Sequence, residues 1–132
     1  MNQSLIELAI SARQNAYAPY SGYPVGAAIL DAEGNVWTGC NVENVSFGLS
    51  ICAERSAVCK MIGDGKREVR MIAIASRDGA VPCGMCLQTL LEFAPNPRAV
   101  EVLTVSESGQ SNKNFLSDLM PHGFRSDELK RT

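Results

Sequence analysis

Three cysteines and one glutamate, placed in two separate segments, are the residues of this sequence whose types and spacing could do chemistry. The first segment is Cys52-Ala53-Glu54-Arg55, and Pro82-Cys83-Gly84-Met85-Cys86 follows about thirty residues later. Thiolates are good zinc ligands, and two of them separated by two residues can reach one ion. Three protein ligands leave the fourth position of a tetrahedral zinc ion to water, as in catalytic sites, whereas structural zinc usually has four. The spacing therefore predicts an enzyme, with Glu54 placed to move protons beside that water.

The electrostatics of such a centre depend on the helices that would present it. If helices begin at Cys52 and at Cys83, their first-turn amides and positive dipole ends stabilise the anionic thiolates. Three thiolates on one dication leave a net negative charge. Arg55 is close enough in sequence to offset this charge by donating to the sulfurs, and we treat that as a hypothesis.

The cysteine pattern also allows other interpretations. A CxxC motif alone is compatible with a redox pair, with half of a structural zinc finger, or with two core cysteines. A closed four-cysteine site would have to recruit Cys40 or Cys59. Cys59 lies two helical turns after Cys52, too far along a helix to reach the same ion, and is predicted to be a small core residue. Cys40 lies in a strand-like run and is predicted to be structural. Five cysteines, an odd number, disfavour a disulfide framework.

Length and charge narrow the class of protein. With 132 residues, the chain is predicted to form one domain, residues 1–132, around a single hydrophobic core. The net charge is −2 and the basic residues are scattered, so nothing resembles the basic stripe that binds a nucleic acid polymer. The charge pattern therefore favours a small neutral molecule as the substrate over a nucleic acid polymer. The opening residues lack the pattern of a signal peptide, and no apolar stretch is long enough for a membrane span. Free thiols with zinc-ligand spacing suit a reducing cytoplasm.

The spacing of apolar residues along the chain predicts the helices and strands that carry these motifs. Strands are predicted at 25–30, 36–42, 69–75 and 100–105, with a hairpin joining the first two. Helices are predicted before the hairpin, after Cys52 and after Cys83, and a short helix at 115–120. The order helix, hairpin, helix, strand, helix, strand indicates an α/β layered domain with a mixed sheet. Both cysteine motifs then lie at helix starts that follow strand edges, where they can converge.

Taken together, the motifs resemble those of the small zinc-dependent cytidine deaminases of the three-cysteine, homotetrameric type. The resemblance covers nearly the whole chain, and it is carried by the two cysteine motifs and by the segments Ala16-Tyr17-Ala18-Pro19-Tyr20-Ser21, Val25-Gly26-Ala27-Ala28, Gly39-Cys40-Asn41-Val42-Glu43-Asn44 and Leu119-Met120-Pro121-His122-Gly123-Phe124. It implies a single cytidine-deaminase-like domain, with a mixed β-sheet and helices on both faces. It also implies a homotetramer in which neighbouring subunits complete each site.

The resemblance further implies a reaction. One Zn²⁺ per subunit, held by Cys52, Cys83 and Cys86, would supply hydroxide that adds to C4 of the cytosine ring. Glu54 would take the proton of the zinc water, deliver one to N3 and then help ammonia leave. The implied activity is hydrolytic deamination of cytidine and 2′-deoxycytidine to uridine and 2′-deoxyuridine, a reaction of pyrimidine salvage.

The resemblance also assigns substrate contacts. Asn41 and Glu43 match the family's sugar-binding element, and side chains two apart on a strand point the same way; the alternative is a pair of ordinary solvent-facing residues. Backbone groups around Ala53 and Glu54 would read the base edge. Tyr23 occupies a place where the family commonly has an aromatic near the base, although it could instead be a loop aromatic packed on the core.

Phe124 resembles the aromatic residue that, in tetrameric relatives, reaches a neighbouring subunit's site and stacks on the pyrimidine. The alternative is a hydrophobic anchor within its own subunit. The sequence departs from the family at Leu87, where Arg usually follows the last zinc cysteine. This difference leaves open the electrostatic tuning of the zinc site, the packing of the tetramer and the substrate range.

Two other functions remain compatible with the sequence. The first is a deaminase for another aminopyrimidine nucleoside, such as a modified cytidine or a blasticidin-type antibiotic. The second is a structural or regulatory zinc module without catalysis, in which Glu54 would have no required role and a fourth ligand would be expected.

Overall fold

A computed structural model describes residues 2–125, which form four α-helices and five β-strands. The helices are α1 (Asn2–Arg13), α2 (Ala53–Gly63), α3 (Gly84–Glu92) and α4 (Leu116–Leu119). The strands are β1 (Gly26–Asp31), β2 (Val36–Cys40), β3 (Val69–Ala75), β4 (Glu101–Val105) and β5 (Ser111–Phe115), and a short 3₁₀ helix spans Phe47–Leu49. Among these helices, none has both the length and the apolar character needed to cross a membrane.

The five strands form one mixed sheet in the order β2-β1-β3-β4-β5. The pair β3–β4 is parallel and the other neighbouring pairs are antiparallel. Strand β3 is a nearly continuous apolar run with six of its seven residues buried, as expected for a central strand covered on both faces. The predicted mixed sheet is therefore confirmed.

Alternate residues of the central strands bury against helices on opposite faces of the sheet. On one face, Leu5 of α1 belongs to a cluster with Ala28 of β1. On the other, Ile29 of β1 packs with Met61 of α2 and Leu90 of α3. Because strand side chains alternate between faces, this arrangement follows from the period of two in β1 and β3. Helices cover both faces, as predicted.

The structure adds one strand that the sequence did not predict, and it contradicts the predicted position of one cysteine. Strand β5 was not predicted, because Ser111–Phe115 is polar and exposed over its first three residues. It is an edge strand, held by its antiparallel pairing with β4 and not by burial of an apolar face. Cys59 is exposed and not a core residue. The buried side of α2 carries Ala57, Val58 and Met61, and a residue adjacent in sequence is rotated about 100° around a helix.

Gly39 of β2 lets α2 lie directly against the sheet. A Cβ atom added at Gly39 would lie 2.5 Å from the backbone nitrogen of Ala57 and 2.6 Å from the carbonyl oxygen of Ala53. Both contacts are with backbone, which cannot move without shifting the helix. The position of the start of α2, where Cys52 and Glu54 lie, therefore depends on the absence of a side chain at this residue.

We expect Gly39→Ala to destabilise the fold and to displace the residues at the start of α2. Overpacking of this kind costs about 1–3 kcal/mol of the free energy of unfolding, and urea unfolding followed by circular dichroism measures it. Gly63→Ala is the matched control, because a Cβ at the end of the same helix meets nothing within 4 Å. Equal stability of the two variants would contradict this account of Gly39.

Candidate active site and metal centre

The starts of α2 and α3 bring three thiols together. Cys52 and Cys83 are the extended residues immediately before α2 and α3, and Cys86 lies in the first turn of α3. Their three sulfur atoms all lie within 4.8 Å of one another. Cys86 is buried, Cys52 is half-buried and Cys83 is exposed, so the cluster can be reached from one side. Within residues 2–125, no other His, Cys, Asp or Glu joins this cluster.

The chemistry of these three donors fits zinc. Sulfur ligands at the usual Zn–S distance lie about 3.8 Å apart in a tetrahedral site, which is compatible with the observed separations. A hydrogen bond from the Cys86 thiol lowers the pKa of Cys52 to about 5, with help from the Arg55 guanidinium. The same pairing raises the pKa of Cys86. Zinc binds thiolates, so metal binding would release the protons that these thiols still carry.

Arg55 supplies positive charge to the cluster. Its Nη2 donates to Cys52 Sγ at 3.6 Å. Its Nε is buried without a hydrogen-bond partner among the described residues. Leu87, the residue of α3 that follows Cys86, is only 6% exposed and packs into the hydrophobic core.

Glu54 lies beside the cysteines in an environment that favours its neutral form. The residue is 5% exposed and lies in the first turn of α2. Burial raises the pKa of its carboxyl group to about 7, and the negative charge of Cys52 adds to this effect. A carboxyl group with a pKa near neutrality can both accept and return a proton, as general acid–base catalysis requires.

A cavity of about 320 Å³ opens onto Cys52, Cys83 and Glu54. This volume is at the small end of the range for ligand pockets, roughly 300–1,000 Å³. Four further predicted substrate contacts line it, namely Tyr23, Asn41, Glu43 and Ala53. Ser21 and Ser76 also line the cavity and were not predicted to have a role, because an isolated serine in a loop or at a strand end carries no sequence signal. Apolar side chains complete the walls, namely Val25, Ile74, Ala80 and Val81.

Glu43 anchors the loop of residues 20–25, which forms one wall of the cavity. Its Oε1 accepts hydrogen bonds from the backbone nitrogens of Tyr20 (2.9 Å) and Ser21 (3.1 Å). Its Oε2 accepts one from the Ser21 hydroxyl. The hydrogen bond from Ser21 is the main reason that the pKa of Glu43 lies below its ordinary value. An ionised carboxylate has about four acceptor sites, so one remains for a further donor.

Asn41 holds the other end of the same loop. Its Oδ1 accepts from the backbone nitrogen of Val25 at 2.8 Å, and its Nδ2 donates to the carbonyl oxygen of Tyr23 at 2.9 Å. One amide hydrogen remains for another acceptor. Asn41 and Glu43 follow β2, which ends at Cys40, and do not lie on the strand as predicted. Both residues organise the cavity wall, and each keeps capacity for a further hydrogen bond.

Phe124 lies outside the cavity of its own chain and is 55% exposed. The side-chain amide of Gln88 on α3 clamps its backbone, donating to the Phe124 carbonyl at 2.7 Å and accepting from its nitrogen at 3.1 Å. The exposed ring of Phe124 is thus fixed next to α3, the helix that carries Cys86. Its exposure argues against a role as a hydrophobic anchor within the same subunit.

Comparison with known proteins gives a consistent result. Residues 1–103 match the family model of the cytidine and deoxycytidylate deaminase zinc-binding region. A cytidine deaminase of Halalkalibacterium halodurans is 39% identical over 129 residues, which cover 96% of each chain. One from Mycobacterium tuberculosis is 42% identical over 127 residues, covering 93% of this chain and 89% of the relative.

Solved structures agree with the sequence matches. The crystal structure of a cytidine deaminase from Burkholderia pseudomallei superposes with a TM-score of 0.88 at 39% sequence identity, covering 94% of this chain and 99% of that one. The family model matches more than half of the chain, and it spans all three thiols that can hold one zinc ion. By its sequence, its fold and its zinc-binding cluster, this chain is an enzyme that belongs to the cytidine deaminase family.

Proposed function

We propose that the protein hydrolyses cytidine and 2′-deoxycytidine to the corresponding uridines with release of ammonia. The observation that carries this proposal is the placement of a three-thiol cluster and a buried glutamate on one nucleoside-sized cavity. Several relatives with matching folds are named cytidine deaminases. A purely structural zinc module would need a fourth ligand, and the described residues place none beside the three sulfurs.

The proposed roles follow from the geometry. Cys52, Cys83 and Cys86 hold one zinc ion, which when bound supplies an activated water for attack on C4 of the pyrimidine. Glu54 accepts a proton from the attacking water and delivers a proton to N3 of the ring. Glu54 then passes a proton to the departing amino group, so that water and cytidine are converted into uridine and ammonia. Burial of Glu54 raises the pKa of its carboxyl group toward neutrality, which favours a group that can both take up and release a proton.

We propose that the substrate is recognised by the hydrogen-bonding groups of the cavity wall that keep a free donor or acceptor site among the described residues. The free acceptor site of Glu43 and the free amide hydrogen of Asn41 would bind the hydroxyl groups of the sugar. The first amides of α2 have no partner within the helix, and its first intrahelical bond is Ser56 N to Cys52 O at 3.0 Å. The backbone at Ala53 can therefore donate to the base edge. Tyr23 would form the aromatic wall.

Arg55→Ala is expected to reduce zinc affinity or turnover by about 10–100-fold, as loss of a residue that supports a metal ligand does. The reason is that the Cys52 sulfur would lose the Arg55 hydrogen bond and the neighbouring positive charge. Zinc titration with a chromogenic chelator, together with the rate on cytidine, measures both. Arg98→Ala, at an exposed position away from the cluster, is the control. An Arg55→Ala protein with unchanged affinity and rate would remove Arg55 from this role.

We further propose that the protein is a homotetramer in which neighbouring subunits complete each site. Large apolar side chains of the segment 45–49 are exposed in the single chain, including Val45 (75%), Phe47 (75%) and Leu49 (64%). Exposed apolar patches of this kind commonly mark protein interfaces. Phe124 would reach a partner's cavity and stack on the pyrimidine. Light scattering measures the assembly, and a monomer at micromolar concentration would contradict it.

The physiological setting is proposed to be pyrimidine salvage in the cytoplasm. All five cysteines are free thiols, and a zinc cluster of thiolates is maintained in a reducing compartment. Deamination of free nucleosides returns cytosine bases to the uracil pool.

The function is tested by incubating zinc-loaded protein with cytidine and following ultraviolet absorbance, with zinc content measured on the same sample. We expect a continuous fall in absorbance and stoichiometric release of ammonia. A panel that includes 2′-deoxycytidine, N4-modified cytidines and a blasticidin-type nucleoside then defines the substrate range. A folded, zinc-loaded sample that leaves cytidine and 2′-deoxycytidine unchanged would refute the proposal, whichever other member of the panel it converts.

A further inference from the structure

Tyr23 connects two segments that both line the cavity. It belongs to the loop of residues 20–25, and its hydroxyl donates a hydrogen bond to Asp78 Oδ1 in the segment 76–82. The Arg77 guanidinium lies 5.4 Å from the centre of the Tyr23 ring, and Arg77 Nη2 donates to the Gly22 carbonyl at 2.6 Å. The two segments are thus joined both through the Tyr23 side chain and through the neighbouring backbone.

Both joined segments contribute directly to the cavity. Tyr23 and Val25 line it from the loop, and Ala80 and Val81 line it from the other segment, which continues into Cys83. Tyr23 is held both at its backbone and at the end of its side chain. Its own carbonyl accepts from Asn41 Nδ2 at 2.9 Å, and its hydroxyl is bonded to Asp78.

The local backbone explains why Asp78 is placed to accept a hydrogen bond from the Tyr23 hydroxyl. Gly79 follows it with φ of +73°, a left-handed conformation that favours glycine. The Gly79 nitrogen donates to the Ser76 hydroxyl at 3.0 Å, which closes the turn. Strand β3 ends at Ala75, so the turn is fixed to the central strand of the sheet.

Because it is bonded to Asp78, the Tyr23 hydroxyl has no hydrogen left to donate to a ligand. A phenol has a single donor hydrogen, and here Asp78 accepts it. Burial and the hydrogen bond to Asp78 raise the pKa of Tyr23, so the group remains a protonated donor at neutral pH. Apart from the acceptor capacity of its hydroxyl oxygen, Tyr23 can therefore offer the cavity its ring, which the bond to Asp78 restrains.

We propose that Asp78 is a positioning residue for nucleoside binding, which fixes the Tyr23 ring as a preformed wall of the cavity. This inference rests on the proposed function and goes beyond it, because Asp78 itself does not line the cavity. A wall that is ordered before binding spares the ligand the entropic cost of ordering it. Its loss should weaken binding of the nucleoside and leave the chemical step unchanged.

The test is a double-mutant cycle on the zinc-loaded enzyme. We expect Tyr23→Phe and Asp78→Ala each to raise the KM for cytidine by about three- to tenfold, with little change in kcat. The double variant should be no worse than Asp78→Ala alone, because both changes remove the same hydrogen bond. Asp78→Asn should remain near the wild type, since its carboxamide oxygen still accepts from the hydroxyl. The dissociation constant of the product uridine, measured by calorimetry, should change by the same factor as KM.

Three results would overturn the inference. These are an unchanged KM in both single variants, additive effects in the double variant, or a fall in zinc content and kcat in Asp78→Ala, which would indicate a structural role near Cys83. If the wild type binds uridine without deaminating cytidine, the proposed function fails on its own. In that case the uridine constants of wild type and Asp78→Ala still decide the role of Asp78: equal values refute it, and a loss in the expected range supports it.

Discussion

Glu54→Gln is expected to lose about 10³- to 10⁴-fold in kcat for cytidine while it keeps its zinc. The amide has nearly the same shape as the carboxyl group and fits the same buried position, where the Glu54 residue is 5% exposed. It cannot accept a proton from water and return one to N3 or to the departing amine. The measurement combines steady-state kinetics on cytidine with metal analysis of the same preparation.

The control for this variant is Glu92→Gln, at an exposed position at the end of the zinc-site helix α3. It removes the same charge from the chain without touching the cavity, and we expect a wild-type rate. Should Glu54→Gln turn over cytidine at close to the wild-type rate with zinc bound, another group must carry the proton.

Cys83→Ser is expected to lower zinc affinity by more than about 100-fold and to abolish turnover at ordinary zinc concentrations. Zinc binds thiolates strongly, whereas a serine hydroxyl is protonated at neutral pH and is a poor ligand. Cys83 is exposed, so the substitution leaves the hydrophobic core intact and the effect can be attributed to the metal. Zinc content by mass spectrometry and the rate on cytidine are measured together.

Cys59→Ser is the matched control, because Cys59 is also an exposed free thiol and lies on α2 outside the cluster. We expect it to retain both zinc and activity. Full zinc content in Cys83→Ser, or loss of zinc in Cys59→Ser, would contradict the assignment of the ligands.

Periodicity in the sequence predicted the buried elements well and the exposed ones poorly. Strand β3 was predicted at 69–75 and is found at Val69–Ala75, since a long apolar run between turn signals has few other stable placements. Strand β5 was missed because its polar residues are held by backbone pairing to β4, which leaves no pattern in the side chains. Cys59 was placed in the core because cysteine is usually buried, a tendency that gives no direction around a helix.

Some features of the candidate site could likewise be predicted from the sequence, and others could not. Ligand type and short spacing are local properties, so the sequence alone was enough to identify Cys52, Cys83, Cys86 and Glu54 as one chemical group. How the loop of residues 20–25 is held depends on partners far away in the chain. Asn41 and Glu43 bond its backbone across about twenty residues, and Asp78 bonds Tyr23 across 55 residues.

The sequence by itself determined the kind of chemistry, because ligand identity, ligand spacing and the adjacent carboxylate depend only on residues close in the chain. Tertiary structure decided the rest. Burial raises the pKa of Glu54 to about 7, Leu87 packs in the hydrophobic core, and Asp78 accepts a hydrogen bond from Tyr23. Burial and long-range hydrogen bonds arise only when separate segments pack together. No local pattern of residues encodes them.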